Sequence, residues 1–219
     1  MSKMVWDQAG ERLYETGIEQ VALFPQEEGA YNKGVAWNGI TALNLTPSGG
    51  EPTALYANDK KYLTLMSVEE LGGTIEAYMY PDEWAACDGS AAILPGVYAG
   101  QQARKVFGLA AKTLIGNDTD LNNYGYKLHL VYGGLASPSE QSHATVNDSP
   151  EAATMSWEFT TTPVEISGYA NTSHICIDST KVDKAKLDAL EAIIYGSENQ
   201  EPRLPLPNEV VTLMGGAEG

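Results

Sequence analysis

The chain has 219 residues, of which 43% are hydrophobic, and its 29 acidic and 13 basic residues give a formal net charge of −16. This length and apolar content exclude a wholly disordered chain and fit one β-rich domain, with or without an appendage. The basic residues are scattered, so the sequence lacks the basic stripe of a nucleic-acid binder. The excess of acidic residues fits either simple solubility or a surface along which a polyanion passes without binding.

The first fifty residues predict a β-meander of short strands joined by glycine-containing turns. An apolar run at 17–24 ends at Pro25, and a turn at 27–34 leads into a strand over 35–46. Residues 47–50 predict a tight turn, because their two glycines accept positive φ values.

Residues 53–80 predict a long strand pair. A first strand at 54–57 passes through Asn58-Asp59 into 62–68, and a turn at 71–73 leads into 74–80. In the last strand the side chains alternate in polarity, so one face is expected to meet the core and the other water or a neighbouring subunit.

A short helix is predicted near 81–87, where Pro81 and two acidic residues have the composition of a helix start. Residues 88–105, of mixed Gly, Ala and Pro content, are expected to form a long excursion before the next strand.

Three further strands are predicted at 106–115, 124–132 and 152–162. The last alternates most clearly: Met155, Trp157 and Phe159 face one way, and polar side chains face the other. These three side chains are therefore expected to anchor the core.

A strand at 173–178 precedes the one long predicted helix, near 181–195. Ser179 or Thr180 is expected to cap this helix with Asp183 as the partner of a capping box, and Gly196 to end it. The sequence thus divides into a domain at 1–196 and a Pro/Gly-containing tail at 197–219, either flexible or docking.

The sequence lacks the residue patterns of an active site. His129, His143 and His174 have no metal-ligand spacing, and no GxSxG motif or phosphate loop is present. Cys87 and Cys176 form no CxxC pair, so no zinc site or disulfide framework is expected. The prediction is a protein that is not an enzyme, with no catalytic residue, metal or cofactor.

The N-terminus and the hydropathy of the chain bear on its compartment. Residues 1–6 lack the basic-then-apolar pattern of a signal peptide, and no stretch reaches the ~18 apolar residues of a membrane span. We therefore expect synthesis and folding in a reducing cytoplasm, with no membrane partner. The twelve tyrosines leave three uses open: strand packing, subunit contacts and a sugar-stacking platform.

Residues 37–164 resemble the major tail tube proteins of long-tailed, siphovirus-type bacteriophages. The matching segments, in order, are WNGITALNLTPSGGE, YANDKKYLTL, GTIEAYMYPDEW and YKLHLVYGGLASPSEQSHATVNDSPEAATMSWEFTTTPV. The similarity lies in the amino-acid sequence and the order of whole segments, and it covers more than half of the chain.

The resemblance implies a mainly β fold of two packed antiparallel sheets, a sandwich or barrel-like tail tube fold with a flanking helix. It implies a structural virion protein whose hexameric rings stack into a hollow tube, assembled in the host bacterial cytoplasm. The expected partners are further copies of the chain, the tape measure protein, and the tail terminator and tail-tip proteins. Double-stranded DNA is expected to pass through the lumen without specific binding.

Two hypotheses follow about surfaces. The strands at 61–68 and 73–80 are expected to line the lumen, with Tyr62, Thr64, Thr74 and Glu76 facing it. The excursions at 25–34, 47–60 and 88–105 are candidates for ring-to-ring contacts that become ordered only on stacking. The alternatives are a tube subunit of a contractile tail or secretion machine, and a monomeric carbohydrate-binding β-sandwich.

Overall fold

A computed structural model describes residues 3–141, 143, 145 and 152–216. The strands, in chain order, are β1 Tyr14–Pro25, β2 Tyr31–Asn32, β3 Val35–Ala36, β4 Ile40–Gly49, β5 Pro52–Ala57, β6 Lys60–Met66, β7 Glu69–Ala77, β8 Ala91–Leu94, β9 Val97–Ala99, β10 Phe107–Asn117, β11 Leu121–Ala136, β12 Met155–Thr161, β13 His174–Asp178 and β14 Arg203–Leu204. The helices are α1 Trp84–Cys87, α2 Lys184–Ile194 and α3 Pro207–Leu213. The predicted mainly β class is confirmed.

Eight of these strands form one antiparallel sheet, in the order β3-β1-β10-β11-β12-β7-β4, with β13 also paired to β11. Strand β11 is shared: residues 127–131 pair with β13, whereas residues 134–136 pair with β12. We call β3, β1, β10, β11 and β13 the first half-sheet, and β12, β7 and β4 the second half-sheet. The sandwich therefore arises from two parts of one continuous sheet.

The two half-sheets share one apolar core, which we call the sandwich core. Its buried side chains come from the first half-sheet (Leu23, Phe107, Leu109, Val131), from the second (Ile75, Trp157, Phe159), and from Trp37 and Trp84. The rings of Trp37, Trp84 and Trp157 contact one another with centroids 4.7–5.8 Å apart. Of the predicted anchors, Trp157 and Phe159 lie inside this core, and Met155 packs partly buried against it.

A second core lies on the opposite face of the first half-sheet, and we call it the helix-side core. Leu109 and Val131 face the sandwich core, whereas their neighbours Ala110 and Leu130 face the helices. Helix α2 contributes Leu187, Leu190 and Ile194 to this second core. Strands β10 and β11 are therefore buried on both faces.

The predicted turn at 71–73 is wrong, because Gly72 and Gly73 lie inside β7. A Cβ on Gly73 would come within 2.3 Å of the Asn44 carbonyl oxygen and 2.8 Å of the Phe159 ring. These glycines give room to neighbours that come from distant parts of the chain.

The pair Gly133 and Gly134 lies inside β11, where this strand passes from one half-sheet to the other. A Cβ on Gly134 would lie 2.8 Å from the Phe107 ring. The turn predicted at 47–50 is wrong for residues 47–49, which extend β4 and pair with residues 69–71. Gly49 and Gly50 do have the predicted positive φ values, 78° and 69°.

Helix α2 begins three residues later than predicted. Asp183, not Ser179 or Thr180, is the N-cap, and its carboxylate accepts a hydrogen bond from the Lys186 amide at 3.1 Å. Thr180 instead donates its amide hydrogen to Asp178. Gly196 follows the helix with a φ of 80°, which confirms the predicted end.

The described part of the segment 197–219 packs against the domain. Strand β14 pairs with β2, and both Leu204 and Val210 are buried in the helix-side core. The Tyr132 hydroxyl donates to the Pro205 carbonyl at 2.9 Å. Of the two roles predicted for this tail, docking fits residues 203–213. Among the described residues, no helix combines the length and apolarity needed to cross a membrane.

Candidate assembly surface

Strands β5 and β6 form a two-stranded hairpin that is separate from the main sheet. Asn58 and Asp59 form its turn with φ values of 51° and 59°, the left-handed conformation that a tight two-residue hairpin turn requires. Apart from half-buried Ala54, every residue from 52 to 66 is exposed. Local turn chemistry thus accounts for the hairpin, but no second layer covers it in the part of the chain that the structure describes.

Apolar side chains occupy both faces of this hairpin. Leu55 lies opposite Leu63, and Leu65 follows on the same face, whereas Met66 and Thr64 point to the other face. Tyr56, Tyr62 and Met66 are each exposed to at least 70%. A two-stranded sheet is marginally stable in water by itself, and this one exposes apolar groups that a partner would cover.

A second exposed hairpin, β8–β9, lies in the segment that the sequence assigned to a long excursion. Its residues 91–99 include no charged side chain, and Ile93, Leu94, Val97 and Tyr98 are exposed. The Pro95-Gly96 dipeptide, with Gly96 at a φ of 77°, was the local signal for its turn.

The outer face of the second half-sheet is polar. Glu76 lies opposite Ser156, and Thr74 lies opposite Glu158 and Asn44, so these five side chains share one face. The alternate residues Ile75 and Trp157 fill the sandwich core. The only charged side chains that β4, β7 and β12 place on this face are carboxylates, at Glu70, Glu76 and Glu158.

The four residues predicted to face a lumen therefore lie in two places. Thr74 and Glu76 are neighbours on the polar face, half-buried, whereas Tyr62 and Thr64 lie on the exposed β5–β6 hairpin. Glu158 also belongs to the polar face. Its signal in the sequence is the alternation over 152–162, in which Glu158 points away from the core side chains Trp157 and Phe159.

Strand β4 forms the free edge of this polar face. Among the described residues it pairs with β7 alone, and its other edge exposes unpaired backbone groups along ten residues. Free edges of this length are sites where a strand of another chain can add.

A hydrogen-bonded chain of side chains crosses the first half-sheet near its end. The Thr113 hydroxyl donates to Glu15 at 2.6 Å, His129 Nε2 lies 3.0 Å from Thr113 Oγ1, and His129 Nδ1 lies 3.1 Å from His174 Nε2. The Glu15 carboxylate can only accept, so the Thr113 hydroxyl gives it its one hydrogen and accepts a hydrogen bond from His129 Nε2. The Nδ1 atom of a neutral His129 then carries no hydrogen, and it accepts from His174 Nε2. This chain orients β1, β10, β11 and β13 relative to one another.

Burial governs the charge of this cluster. It lowers the pKa of His174 to about 4 and lowers the pKa of His129, so both rings are neutral at neutral pH. The hydrogen bond from Lys127 holds the pKa of Glu15 below its usual range. Within residues 3–141, 143, 145 and 152–216, no group of three His, Cys, Asp or Glu side chains is placed to hold a metal ion.

Lys112 is the one buried lysine of the described chain, and it joins β10 to α2. Its ammonium lies 2.8 Å from Glu191 and 4.4 Å from the centroid of the Tyr126 ring, whose hydroxyl donates to the same carboxylate. The ion pair and the Tyr126 hydrogen bond attach α2 to β10 and β11.

Comparison with protein-family models gave no match for this chain, and comparison with curated proteins gave none either.

Proposed function

We propose that the protein is the structural subunit of a hollow tube, the major tail tube protein of a long-tailed bacteriophage. Its copies close into hexameric rings, the rings stack, and double-stranded DNA passes through the lumen during delivery into the host. Its place is the virion, and its partners by family resemblance are the tape measure, tail terminator and tail-tip proteins.

The observation that carries the proposal is the β5–β6 hairpin, with apolar side chains uncovered on both faces. Its tip carries Lys60 and Lys61, whereas Glu51, Glu69 and Glu70 lie at its base, all exposed. On a chain of net charge −16, a basic tip favours contact with an acidic surface of another copy. Self-assembly through this hairpin covers its apolar groups.

The free edge of β4 and the polar face beside it support the tubular form. Pairing of β4 with a strand of the next copy removes an edge that otherwise promotes uncontrolled aggregation. It also continues the polar face from copy to copy, and the carboxylates of Glu76 and Glu158 then repel the phosphates of a passing DNA duplex.

Negative-stain electron microscopy and light scattering of the purified full chain test self-assembly. We expect rings with a central hole, or stacks of them, and loss of both in Leu65→Asp. Tyr169→Asp, at an exposed position outside the hairpins, is the matched control and should assemble normally. Monomers at every concentration, together with binding to a glycan array, would overturn the proposal in favour of the carbohydrate-binding alternative.

The conduit role is tested in particles by replacing Glu76 with Lys. We expect slower DNA ejection with tubes of normal length, because a cation on the polar face attracts phosphates. Glu198→Lys, an exposed change outside this face, controls for net charge. Equal ejection rates in both variants would remove the polar face from the lumen.

A further inference from the structure

The β8–β9 hairpin is exposed and uncharged. Ile93 and Leu94 are 64% and 62% exposed, and the nine residues 91–99 carry no charged group on a chain of net charge −16. The hairpin follows α1, whose Trp84 and Cys87 are buried in the sandwich core. The hairpin therefore begins beside the sandwich core.

An apolar groove lies between β13, residues 181–182 and α3. It has a volume of about 290 Å³, and its apolar lining includes Ile166, Ile175, Val182, Val211 and Met214. The charged groups at its rim, Asp178 and Lys181, neutralise each other in an ion pair of 3.1 Å. The groove is thus uncharged overall, as the hairpin is.

The sandwich core and the groove lie on opposite faces of the first half-sheet. The sandwich core, next to the hairpin, takes the side chains of Leu109 and Val131, whereas the helix-side core, under the groove, takes Leu130 and Ile177. No residue of the hairpin lines the groove of its own chain, and its apolar side chains stay exposed, so the contact would join two copies.

We propose that the β8–β9 hairpin of one copy docks into the groove between β13, residues 181–182 and α3 of the next copy. This inference rests on the proposed self-assembly and names one of its contacts. Ile93 and Leu94 are the inserted side chains, and the groove residues Val211 and Met214 receive them.

Electrostatics favours this pair of surfaces over others on the molecule. Two copies of net charge −16 repel each other, and the repulsion is smallest where both surfaces carry no net charge. Burial of exposed aliphatic side chains at such a place supplies the attraction.

The geometry of the contact also determines the symmetry of the assembly. The hairpin and the groove consist of different residues, so their contact is head-to-tail, and it forms a closed ring when the rotation between copies closes. A two-fold dimer would instead bring the same surface of both copies together.

Cross-linking of single-cysteine variants tests the contact. In a Cys176→Ser background, where Cys87 stays buried, Leu94→Cys is mixed with Val211→Cys, allowed to assemble, and treated with a short bismaleimide. We expect a cross-linked dimer only in the mixture, because either variant alone presents one half of the contact. The matched pair Leu63→Cys with Val211→Cys, which uses the other hairpin, should give no cross-link.

The outcomes separate this inference from the proposed function. Rings without the Leu94–Val211 cross-link overturn the inference and leave the tube subunit standing, whereas cross-linked dimers without rings overturn the tube and support the contact. Cross-linking of Val211→Cys to Trp6→Cys in place of Leu94→Cys would assign the groove to the exposed N-terminal segment. As a second measurement, Leu94→Asp should abolish assembly with no change in melting temperature.

Discussion

Strands β12 and β6 have the same seven-residue length and a similar alternation of apolar and polar side chains, yet the apolar side chains of β12 are buried and those of β6 are exposed. In β12, Trp157 and Phe159 are fully buried between the half-sheets. In β6, Leu63 and Leu65 alternate in the same way and stay exposed. Alternation therefore locates a strand, but only a second layer turns its apolar face into a core.

The difference has a free-energy consequence. Burial of apolar surface contributes about 25 cal/mol per Å². The apolar side chains of the second half-sheet are buried against other parts of the same chain, whereas those of the hairpin can be buried only against a partner. We call the two half-sheets with their cores and helices the body. Substitutions in the body should consequently change the free energy of unfolding, whereas substitutions in the hairpins should change assembly.

The largest expected effect is that of Trp157→Ala in the body. This truncation leaves a cavity beside Trp37 and Trp84 and should lower the free energy of unfolding by about 3–5 kcal/mol. Tyr62→Ala in the hairpin should change it by less than about 0.5 kcal/mol. Urea denaturation of the monomer measures both, and equal losses would show that the hairpin is covered in the isolated chain.

Lys112→Ala tests a polar attachment within the body. Removal of the ammonium leaves Glu191 without its buried cation, and we expect a loss of about 3 kcal/mol. The control is Lys184→Ala, which breaks an exposed pair with Asp188 on the same helix and should have no measurable effect. A similar midpoint of urea unfolding for both variants would contradict the structural role of the Lys112 cluster.

Gly73→Ala tests how closely the second half-sheet packs. The added methyl group meets the Asn44 carbonyl and the Phe159 ring, so we expect destabilisation by about 1–3 kcal/mol. Gly100→Ala, after the β8–β9 hairpin, meets no atom within 4 Å and should cost less than about 0.5 kcal/mol. Thermal unfolding distinguishes the two, and tolerance of Gly73→Ala would place β7 farther from β12 than the structure has it.

Acid should also destabilise the fold. The folded pKa of His174 is about 4, below its ordinary value of 6.5, so the unfolded chain binds the proton more tightly. This contribution to stability is complete above pH 6.5 and is lost as the pH falls toward 4. The urea midpoint should follow this course in the wild type and vary less in His174→Asn, and identical profiles would contradict the assigned burial.

The smallest free energy is that of opening the β5–β6 hairpin. Amide hydrogens of residues 53–66 should exchange rapidly in the monomer and become protected on assembly, whereas those of β10 and β11 stay protected in both states. Mass spectrometry of exchanged peptides measures this, and full protection of the hairpin in monomers would contradict its dependence on a partner.

Some of the fold follows from short-range patterns in the sequence. The alternation around Trp157 placed β12, the apolar spacing of Leu187, Leu190 and Ile194 placed α2, and Gly196 placed its end. Asn58-Asp59 placed the turn of the β5–β6 hairpin. Each of these signals acts within a few residues of the chain, through backbone sterics or the period of one helix or strand.

The candidate surfaces were less accessible from the sequence. Thr74 and Glu76 were found by alternation, but their neighbour Glu158 comes from a strand more than seventy residues away. The β8–β9 hairpin was missed because its short apolar strands have no alternation to mark them.

The sequence by itself determined the β class, the main helix and the amphipathic strands, because these depend on local periodicity and turn chemistry. Only the tertiary structure decided which strands are covered, since cover depends on partners far apart in the chain. Gly73 and Gly134 look like turn residues in the sequence, yet both lie in strands. Glycine is needed there because the Phe159 and Phe107 rings occupy the space that a side chain would take. Long-range packing likewise decided that residues 203–213 complete the helix-side core while the two hairpins stay uncovered.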